Sequence, residues 1–261
     1  MFWKLHTPRE TKVKQFATIL CIALAFAGGG LTPPRITLAA PPPKQALDRQ
    51  DFTVDGRPAF IIVPAKKPVS PTPWVLYAPT LGRGLPGGAE AWMFQRFLNA
   101  GIAIAGVDVG ESYGSPKGRA TYDALHKHLT KSQGFAQQAC LLARSRGGLM
   151  LYCWAVENPE KVRCIVGIYP VCNIASYPGL KRACAAYGMT ESELAANLSK
   201  HNPVDRLTSL ARAGVPIFHI HGNVDKVVPL DANSGLIAKR YQEANGKMEL
   251  KIAAGQGHNM W

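Results

Sequence analysis

Six short apolar segments alternate with longer amphipathic ones, and this alternation limits the folds available to the chain more than any other feature. The apolar segments cover residues 74–81, 102–109, 139–145, 162–171, 215–222 and 248–255. Short, continuous apolar runs of this kind are typical of strands buried on both faces. Helix-like patterns lie near residues 88–100, 117–133, 147–158 and 230–245. The alternation predicts an α/β fold with a mostly parallel central sheet flanked by helices.

Two further segments complete the predicted domain. Extended runs on either side of Asp55 and Gly56 indicate a β-hairpin that precedes the first of the six strands. The connection between the fourth and fifth of those strands is much longer than the others, and residues 173–213 within it carry short helical patterns. We expect this insertion to form a small helical cap over the strand ends.

The first forty residues have the composition of a leader. Basic residues precede the apolar run FATILCIALAFAGGG, and small residues follow it. This order predicts a signal peptide over 1–40, a Pro-rich spacer over 41–49, and a catalytic domain over 50–261 in a secreted or periplasmic protein. A membrane anchor that stays uncut is the alternative, although the apolar run is shorter than the roughly 20 residues that a span needs.

The net charge of +13 invites comparison with nucleic-acid-binding proteins. The leader contributes +4 of this charge, which leaves +9 for residues 41–261. The remaining basic residues are scattered, without an arginine-rich tract or a recognition motif. The charge therefore favours anionic surfaces or acidic substrates in general, and we expect no nucleic-acid partner.

Five cysteines follow the leader. Cys140, Cys153 and Cys164 lie in apolar strand or helix contexts, where a free thiol behaves as a small hydrophobic side chain. Cys172 and Cys184 lie in a loop-rich stretch, and in an oxidising compartment they are candidates for a disulfide. No CxxC pair occurs, so the cysteines predict neither a zinc site nor a redox motif.

Ser145 lies where the third apolar run ends and a helical pattern begins. Residues 143–147 read ARSRG, and Gly148 follows. A nucleophilic serine on a tight strand-to-helix turn needs small neighbours in a small-x-Ser-x-Gly pattern, which this segment matches with alanine in the first position. The turn directs the amide of Arg146 and the start of the next helix towards the place where an oxyanion forms. The alternative is that Ser145 only caps the helix.

A serine nucleophile requires a base and an acid that orients the base. In an α/β sheet these residues lie just beyond the carboxyl ends of strands, in the order Ser, Asp, His. Asp225 follows the strand predicted at 215–222, and His258 follows the last predicted strand. Taken alone, Asp225 is an ordinary turn residue and His258 a terminal one. All three in the expected order predict the catalytic triad Ser145, His258 and Asp225.

The motifs ARSRGG (143–148), HGNVDKVVP (221–229) and GQGHNM (255–260), with YAPTLGRGLPG (77–87), resemble α/β-hydrolases of the esterase and prolyl-oligopeptidase-like branch. The resemblance implies an α/β-hydrolase fold, attack by Ser145 on an acyl carbon, and no cofactor or metal. It also implies an oxyanion hole formed by the amides of Leu81 and Arg146, with Thr80 as the alternative donor. The family has a helix after the catalytic histidine, and this sequence ends three residues past His258. Either another element covers that face of the sheet or this is a shortened product, and a bare face would expose an apolar patch and position His258 poorly.

Arg144 and Arg146 on either side of the serine depart from the usual pattern. A Ser-Arg pair at this turn is similar to that of glucuronoyl esterases, and Arg146 in the pocket favours a substrate with a carboxylate or a sugar-acid ester. Arg146 and Thr80 are therefore candidate substrate-binding residues. The simpler alternative is that both arginines are solvated or paired with carboxylates of nearby loops.

The sequence thus predicts a serine hydrolase that acts on a small-molecule or oligomeric carboxylic ester through an acyl-enzyme. A serine peptidase for short peptides and a catalytically inactive binding protein of the same fold are the competing predictions. His219 and His221 alternate along one predicted strand and share a face, which suits a metal. No third ligand accompanies them, so we interpret them as core residues and predict no metal site.

Overall fold

The computed structural model describes residues 48–65, 69–82 and 84–259. The predicted signal peptide and most of the predicted spacer lie outside the described residues. Within the described part of the chain, no helix combines the length and the apolar character that crossing a membrane requires.

Eight strands form one sheet in the described residues. Their bounds are Arg49–Val54 (β1), Arg57–Ile62 (β2), Trp74–Ala78 (β3), Ala103–Val107 (β4), Ala139–Arg144 (β5), Val162–Ile168 (β6), Ile217–Gly222 (β7) and Met248–Ala253 (β8). All six strands predicted from apolar runs and the hairpin around Asp55 and Gly56 are present. Asp55 and Gly56 both have positive φ, at 48° and 72°, as a tight two-residue hairpin turn requires.

The strands lie in the order β1-β2-β4-β3-β5-β6-β7-β8. The pairs β1/β2 and β2/β4 are antiparallel, and every other neighbouring pair is parallel. The predicted mostly parallel sheet is confirmed. Because β3 to β8 run in the same direction, the residues that follow β5, β6, β7 and β8 come out at one edge of the sheet.

Four helices of eight or more residues flank the sheet in this part of the chain. They span Ala91–Asn99 (α1), Pro116–Ser132 (α2), Gly147–Ala155 (α3) and, after four shorter helices described below, Ser234–Glu243 (α8). Side chains of α2, α3 and α8 pack with one face of the sheet in a large apolar cluster. Met93, Phe94 and Phe97 of α1 pack with the other face. The sheet is therefore covered on both sides, as its continuous apolar strands predict.

The long connection between β6 and β7 forms the predicted group of short helices. They are Leu180–Ala183 (α4), Glu191–Ala196 (α5), Leu198–His201 (α6) and Thr208–Arg212 (α7), with 3-10 turns at Cys184–Tyr187 and Pro203–Asp205. A third apolar cluster joins this segment to the domain through Leu149 of α3 and Val228. The Tyr187 hydroxyl adds a hydrogen bond of 2.8 Å to the carbonyl of Tyr113.

The apolar side chains of β7 are covered. Phe218 and Ile220 of β7 are 4% and 6% exposed. Exposed large apolar side chains occur at the β8 end of the sheet, where Val224, Val227 and Ile252 are each 51% exposed. Of the two alternatives, cover by another element therefore holds at β7, and apolar exposure near the site lies on the edge strand and its adjoining loop.

The candidate disulfide between Cys172 and Cys184 is not formed. The thiol of Cys172 is fully buried, with its sulfur 3.7 Å from the carbonyl of Pro170, and the thiol of Cys184 faces the carbonyl of Lys181 at 3.3 Å. Cys172 comes four residues after the end of β6 and packs in the core, which the loop-rich appearance of its sequence did not indicate.

Candidate active site

Ser145 occupies a strained turn between β5 and α3. Its φ is +50°, a conformation that costs free energy for any residue with a side chain. The backbone around it holds this conformation: the Ser145 amide donates to the carbonyl of Ile168, and the Ser145 carbonyl accepts from the amides of Gly148 and Val171. The predicted turn is present, and its strain is supported by hydrogen bonds to the neighbouring strand and loop.

The two glycines after Ser145 allow α3 to begin very close to the sheet. A Cβ atom at Gly147 would lie 2.2 Å from the carbonyl oxygen of Ala78, and one at Gly148 would lie 2.2 Å from that of Val171. Backbone atoms cannot move away as a flexible side chain can. The ARSRGG motif therefore has glycine at these positions because a side chain at either one would push α3 away from the sheet.

Ser145, His258 and Asp225 form one line of hydrogen bonds. The Ser145 hydroxyl lies 2.8 Å from Nε2 of His258, and Nδ1 of His258 lies 2.8 Å from Oδ2 of Asp225. Asp225 Oδ2 can only accept, so Nδ1 of His258 carries the proton and Nε2 is left to accept the proton of Ser145. The alternative of a helix cap does not hold, since Arg146 occupies the N-cap position of α3 and the Ser145 hydroxyl is hydrogen-bonded to His258.

The loop after β7 fixes Asp225. Its Oδ1 accepts hydrogen bonds of 2.9 Å from the amides of Val227 and Val228, so Oδ2 is directed to His258. The Asp225 side chain is fully buried, whereas that of His258 keeps 19% of its surface exposed. The acid is thus shielded from water, and the base remains accessible from outside.

Tyr169 is a site residue that the sequence analysis missed. It follows β6 directly, has a positive φ of 36°, and places its ring 4.3 Å from the ring of His258. Its amide donates to the carbonyl of Ile220 on the next strand. The strand predicted over 162–171 contains Tyr169, whereas β6 ends at Ile168, so inspection of the residues after the predicted strands did not reach it.

Arg144 is part of a buried ion pair. Its guanidinium contacts Glu90, whose side chain is fully buried and also accepts from the Tyr77 hydroxyl at 2.7 Å and the Gly87 amide at 2.9 Å. Burial and the neighbouring Glu90 raise the pKa of Tyr77, which keeps the phenol protonated as a donor. Three donors compensate the charge of Glu90, so the alternative of pairing with a loop carboxylate is correct for Arg144.

Arg146 is also paired, but at the surface. Its guanidinium contacts Glu111, and both side chains are more than one-third exposed. Screening by water makes such a pair weak. Its charge is nevertheless already compensated, and Arg146 occupies the N-cap position of α3, where its amide adjoins the turn of Ser145.

Family membership follows from comparison of the sequence with family models. The model of the prolyl oligopeptidase family matches residues 98–261, which is more than half of the chain. The chain belongs to the prolyl oligopeptidase family. The resemblance stated from the four motifs is confirmed, since the matched residues include Ser145, Asp225 and His258. None of the curated proteins searched matches this chain.

Solved structures show the same fold at low sequence identity. The acylaminoacyl peptidase of Pyrococcus horikoshii matches with a TM-score of 0.65 and 15% identity, over 82% of this chain and 38% of that chain. An S-formylglutathione hydrolase from Agrobacterium tumefaciens matches with a TM-score of 0.65 and 14% identity, over 81% of this chain and 88% of that chain. The carboxylesterase Cest-2923 from Lactobacillus plantarum matches with a TM-score of 0.61 and 16% identity, over 82% of this chain and 85% of that chain. The predicted α/β-hydrolase fold is confirmed.

The predicted first oxyanion donor does not fit the structure of this prolyl oligopeptidase family member. The amide of Leu81 donates to the carbonyl of Leu85 at 3.3 Å, so it is used within its own loop. Thr80 is 2% exposed, and its hydroxyl lies 3.5 Å from the carbonyl of Tyr77. The Leu81 amide is therefore engaged within its own loop, and the Thr80 side chain is buried.

The interpretation of His219 and His221 as core residues of this family member is correct. Both side chains are fully buried on β7. Among the described residues, no group of three or more His, Cys, Asp or Glu side chains is arranged to hold a metal ion.

Proposed function

We propose that the protein hydrolyses a carboxylic ester through an acyl-enzyme formed on Ser145. The observation that carries the proposal is the line of two 2.8 Å hydrogen bonds that joins Ser145 through His258 to Asp225. A nucleophile, a base and an orienting acid in these relative positions are the requirements of acyl transfer.

The proposed reaction uses each of these groups in turn. Ser145 Oγ attacks the acyl carbon while Nε2 of His258 accepts its proton, and Asp225 stabilises the imidazolium that forms. The Arg146 amide at the start of α3 is the proposed donor to the oxyanion. His258 then protonates the departing alcohol, and a water molecule activated by the same imidazole releases the acid.

Two observations bear on the choice between ester and peptide. The likeness to the S-formylglutathione hydrolase and the carboxylesterase extends over 88% and 85% of those chains, but over only 38% of the acylaminoacyl peptidase. This extent supports the ester as the first candidate. Membership of the prolyl oligopeptidase family supports hydrolysis of short peptides as the second.

Labelling with a fluorophosphonate probe tests the proposal. We expect the wild type and Ser132→Ala to be labelled, and Ser145→Ala and His258→Ala to remain unlabelled. Ser132 is an exposed serine at the end of α2 and serves as the matched control. Labelled protein that hydrolyses p-nitrophenyl esters but no peptides supports the ester, and the reverse supports the peptidase. A folded wild type that is not labelled contradicts both and favours a binding protein.

We also propose that the protein is exported, because residues 1–40 have the order of a signal peptide. Determination of the N-terminus of protein recovered from the periplasm or the medium tests this. Protein that stays in the cytoplasm with its first forty residues intact contradicts export.

A further inference from the structure

Asp225 has a second set of buried polar neighbours on the side away from Ser145. They form a chain that runs from the Asp225 loop through β7 to α8 and ends on α3. Its members are His221, Ser234, His219 and Tyr152, and all four side chains are fully buried. Burial of so many polar groups is costly unless each one is hydrogen-bonded.

Every step of this buried chain has hydrogen-bond geometry. The Tyr152 hydroxyl lies 2.6 Å from Nε2 of His219, and Nδ1 of His219 lies 2.9 Å from the Ser234 hydroxyl. The same hydroxyl lies 2.8 Å from Nδ1 of His221. Nε2 of His221 lies 2.8 Å from the carbonyl oxygen of Val228 and 3.5 Å from Oδ2 of Asp225.

Both histidines in the chain are neutral at neutral pH. Burial, with a smaller contribution from the nearby His221, lowers the pKa of His219 to about 3. Burial also lowers the pKa of His221, against the opposing effects of the Val228 carbonyl and Asp225. A neutral imidazole carries one N–H and one acceptor nitrogen, so each histidine donates at one end and accepts at the other.

The chemistry of the Val228 end then determines the direction of every hydrogen bond. A carbonyl only accepts, so Nε2 of His221 carries the proton and its Nδ1 accepts from the Ser234 hydroxyl. Ser234 has a single hydroxyl proton, and its oxygen therefore accepts from Nδ1 of His219. Nε2 of His219 is left to accept from Tyr152. Each N–H and O–H proton along the chain is thus donated once, and each imidazole uses both of its nitrogens.

The chain ends on the loop that holds the acid of the triad. The Val228 amide donates to Oδ1 of Asp225, while the Val228 carbonyl accepts from His221. The Val228 peptide groups are therefore hydrogen-bonded to His221 through the carbonyl and to Asp225 through the amide. In this tautomer an N–H, rather than a lone pair, faces Oδ2 of Asp225 at 3.5 Å.

The sheet leaves room for this arrangement. Gly167 on β6 faces the ring of His219, and a Cβ atom at that position would lie 2.5 Å from Cδ2 and 2.7 Å from Nε2. Any side chain at Gly167 would displace the ring from Tyr152. The buried chain thus depends on the neighbouring strand as well as on its own members.

We propose that His221 is a positioning residue for Asp225, and that Ser234, His219 and Tyr152 maintain the tautomer of His221 that this requires. The inference rests on the proposed function, because it assigns His221 a part in holding the acid of the triad. His221 acts through Asp225 and Val228 and does not touch the reacting atoms.

The test compares His221→Leu with His221→Gln, since glutamine retains a donor near the Nε2 position and leucine does not. In His221→Leu we expect kcat on an ester to fall about tenfold or more, as loss of a buried hydrogen bond in such a network allows. KM should stay within about twofold, because the substrate contacts are unchanged. His221→Gln should recover most of kcat.

A spectroscopic readout separates positioning from folding. The downfield NMR resonance of the Nδ1 proton of His258, assigned by its absence in His258→Ala, should shift or broaden in His221→Leu. Ser234→Ala is the milder second variant if His221→Leu does not fold, and it should change the same resonance. Ser209→Ala is its matched control. Ser209 also donates its hydroxyl proton, in this case to the carbonyl of Val156 at 2.7 Å, and it lies away from the triad.

Two results would overturn the inference. One is a His221→Leu or Ser234→Ala protein that is folded and less stable but retains the wild-type kcat and His258 resonance. The other is a His221→Leu protein with unchanged kcat and raised KM. A wild type without hydrolytic activity contradicts the proposed function instead, and the His258 resonance still tests the positioning.

Discussion

Three histidines belong to one continuous line of hydrogen bonds through Asp225, and they differ in burial. His258 keeps 19% of its side chain exposed and contacts Ser145, whereas His219 and His221 are fully buried on β7. An imidazole at the surface of the site can take up and release a proton. The same group in the core is held neutral, because burial disfavours its charged form. The comparison shows that position in the fold, not residue type, distinguishes the proposed base His258 from the two buried histidines.

The two sides of Asp225 also differ in how their residues are placed. Ser145, Asp225 and His258 all lie beyond the ends of strands, where the backbone turns. His219 and His221 lie within a strand, with side chains on the face that α3 and α8 cover. Substitutions on the two sides should therefore separate effects on activity from effects on stability.

The largest expected effect is on the exposed side. His258→Ala should lower kcat/KM by about 10⁴-fold or more, because the serine loses its base. The free energy of unfolding should change by only about 0.5 kcal/mol, as for other partly exposed residues. Ester hydrolysis and urea denaturation measure the two quantities. Activity that persists in this variant would show that another group activates Ser145.

Substitutions among the buried histidines should affect the free energy of unfolding more than substitutions of histidines at the surface. His219→Leu leaves the Tyr152 hydroxyl and Ser234 without their shared partner, and we expect the free energy of unfolding to fall by about 2–4 kcal/mol. His128→Leu is the control, because His128 is half-buried on the outside of α2 against Phe52. Urea denaturation of both variants measures the difference. Equal losses in the two would remove the distinction between core and surface histidines.

The pH dependence of stability sharpens the comparison further. The folded-state pKa of His219 is lowered to about 3, below its ordinary value of 6.5, so the unfolded chain binds the proton first. The stabilising contribution is therefore complete above pH 6.5 and is lost as the pH falls towards 3. Between about pH 6 and pH 5 each such histidine should contribute a slope of about 1.4 kcal/mol per pH unit. Urea midpoints across this range should show a shallower slope in His219→Leu than in the wild type, and parallel slopes would contradict a neutral His219.

The smallest effect is expected at the far end of the buried chain. Tyr152→Phe removes one hydroxyl, and the ring still packs in its place. We expect a loss of about 1 kcal/mol in the free energy of unfolding. Nδ1 of His219 still donates to Ser234, and Ser234 still donates to His221, so kcat should stay within about threefold of the wild type. Steady-state kinetics and denaturation measure both, and a loss of kcat as large as that of His221→Leu would show that the chain acts as one rigid unit.

Much of the fold could be predicted because its signals are local. The apolar runs that became β3 to β8 and the turn at Asp55 and Gly56 are each contained in a few consecutive residues. The triad could be predicted for the same reason, since each member follows a strand. Tyr169 was missed because the strand predicted over 162–171 included it, whereas β6 ends one residue before it.

Other features depend on contacts between residues far apart in the sequence. Nothing near Leu81 indicates that its amide turns to Leu85, and nothing near Glu90 indicates a buried partner at Arg144. The candidate disulfide is not formed, because Cys172 packs into the core whereas the thiol of Cys184 faces the carbonyl of Lys181. Sequence patterns report periodicity and turns, but they do not report which side chains meet.

The sequence by itself determined the alternation of strands and helices, the strained turn at Ser145, and the order of the three triad candidates, because these follow from local backbone preferences. Only the tertiary structure decided that β7 lies beside β6 and against α3 and α8. That arrangement brings Tyr152, His219, Ser234 and His221 into one hydrogen-bonded chain behind Asp225. Its members are distant in sequence, and their hydrogen bonds exist only once the sheet and helices are packed.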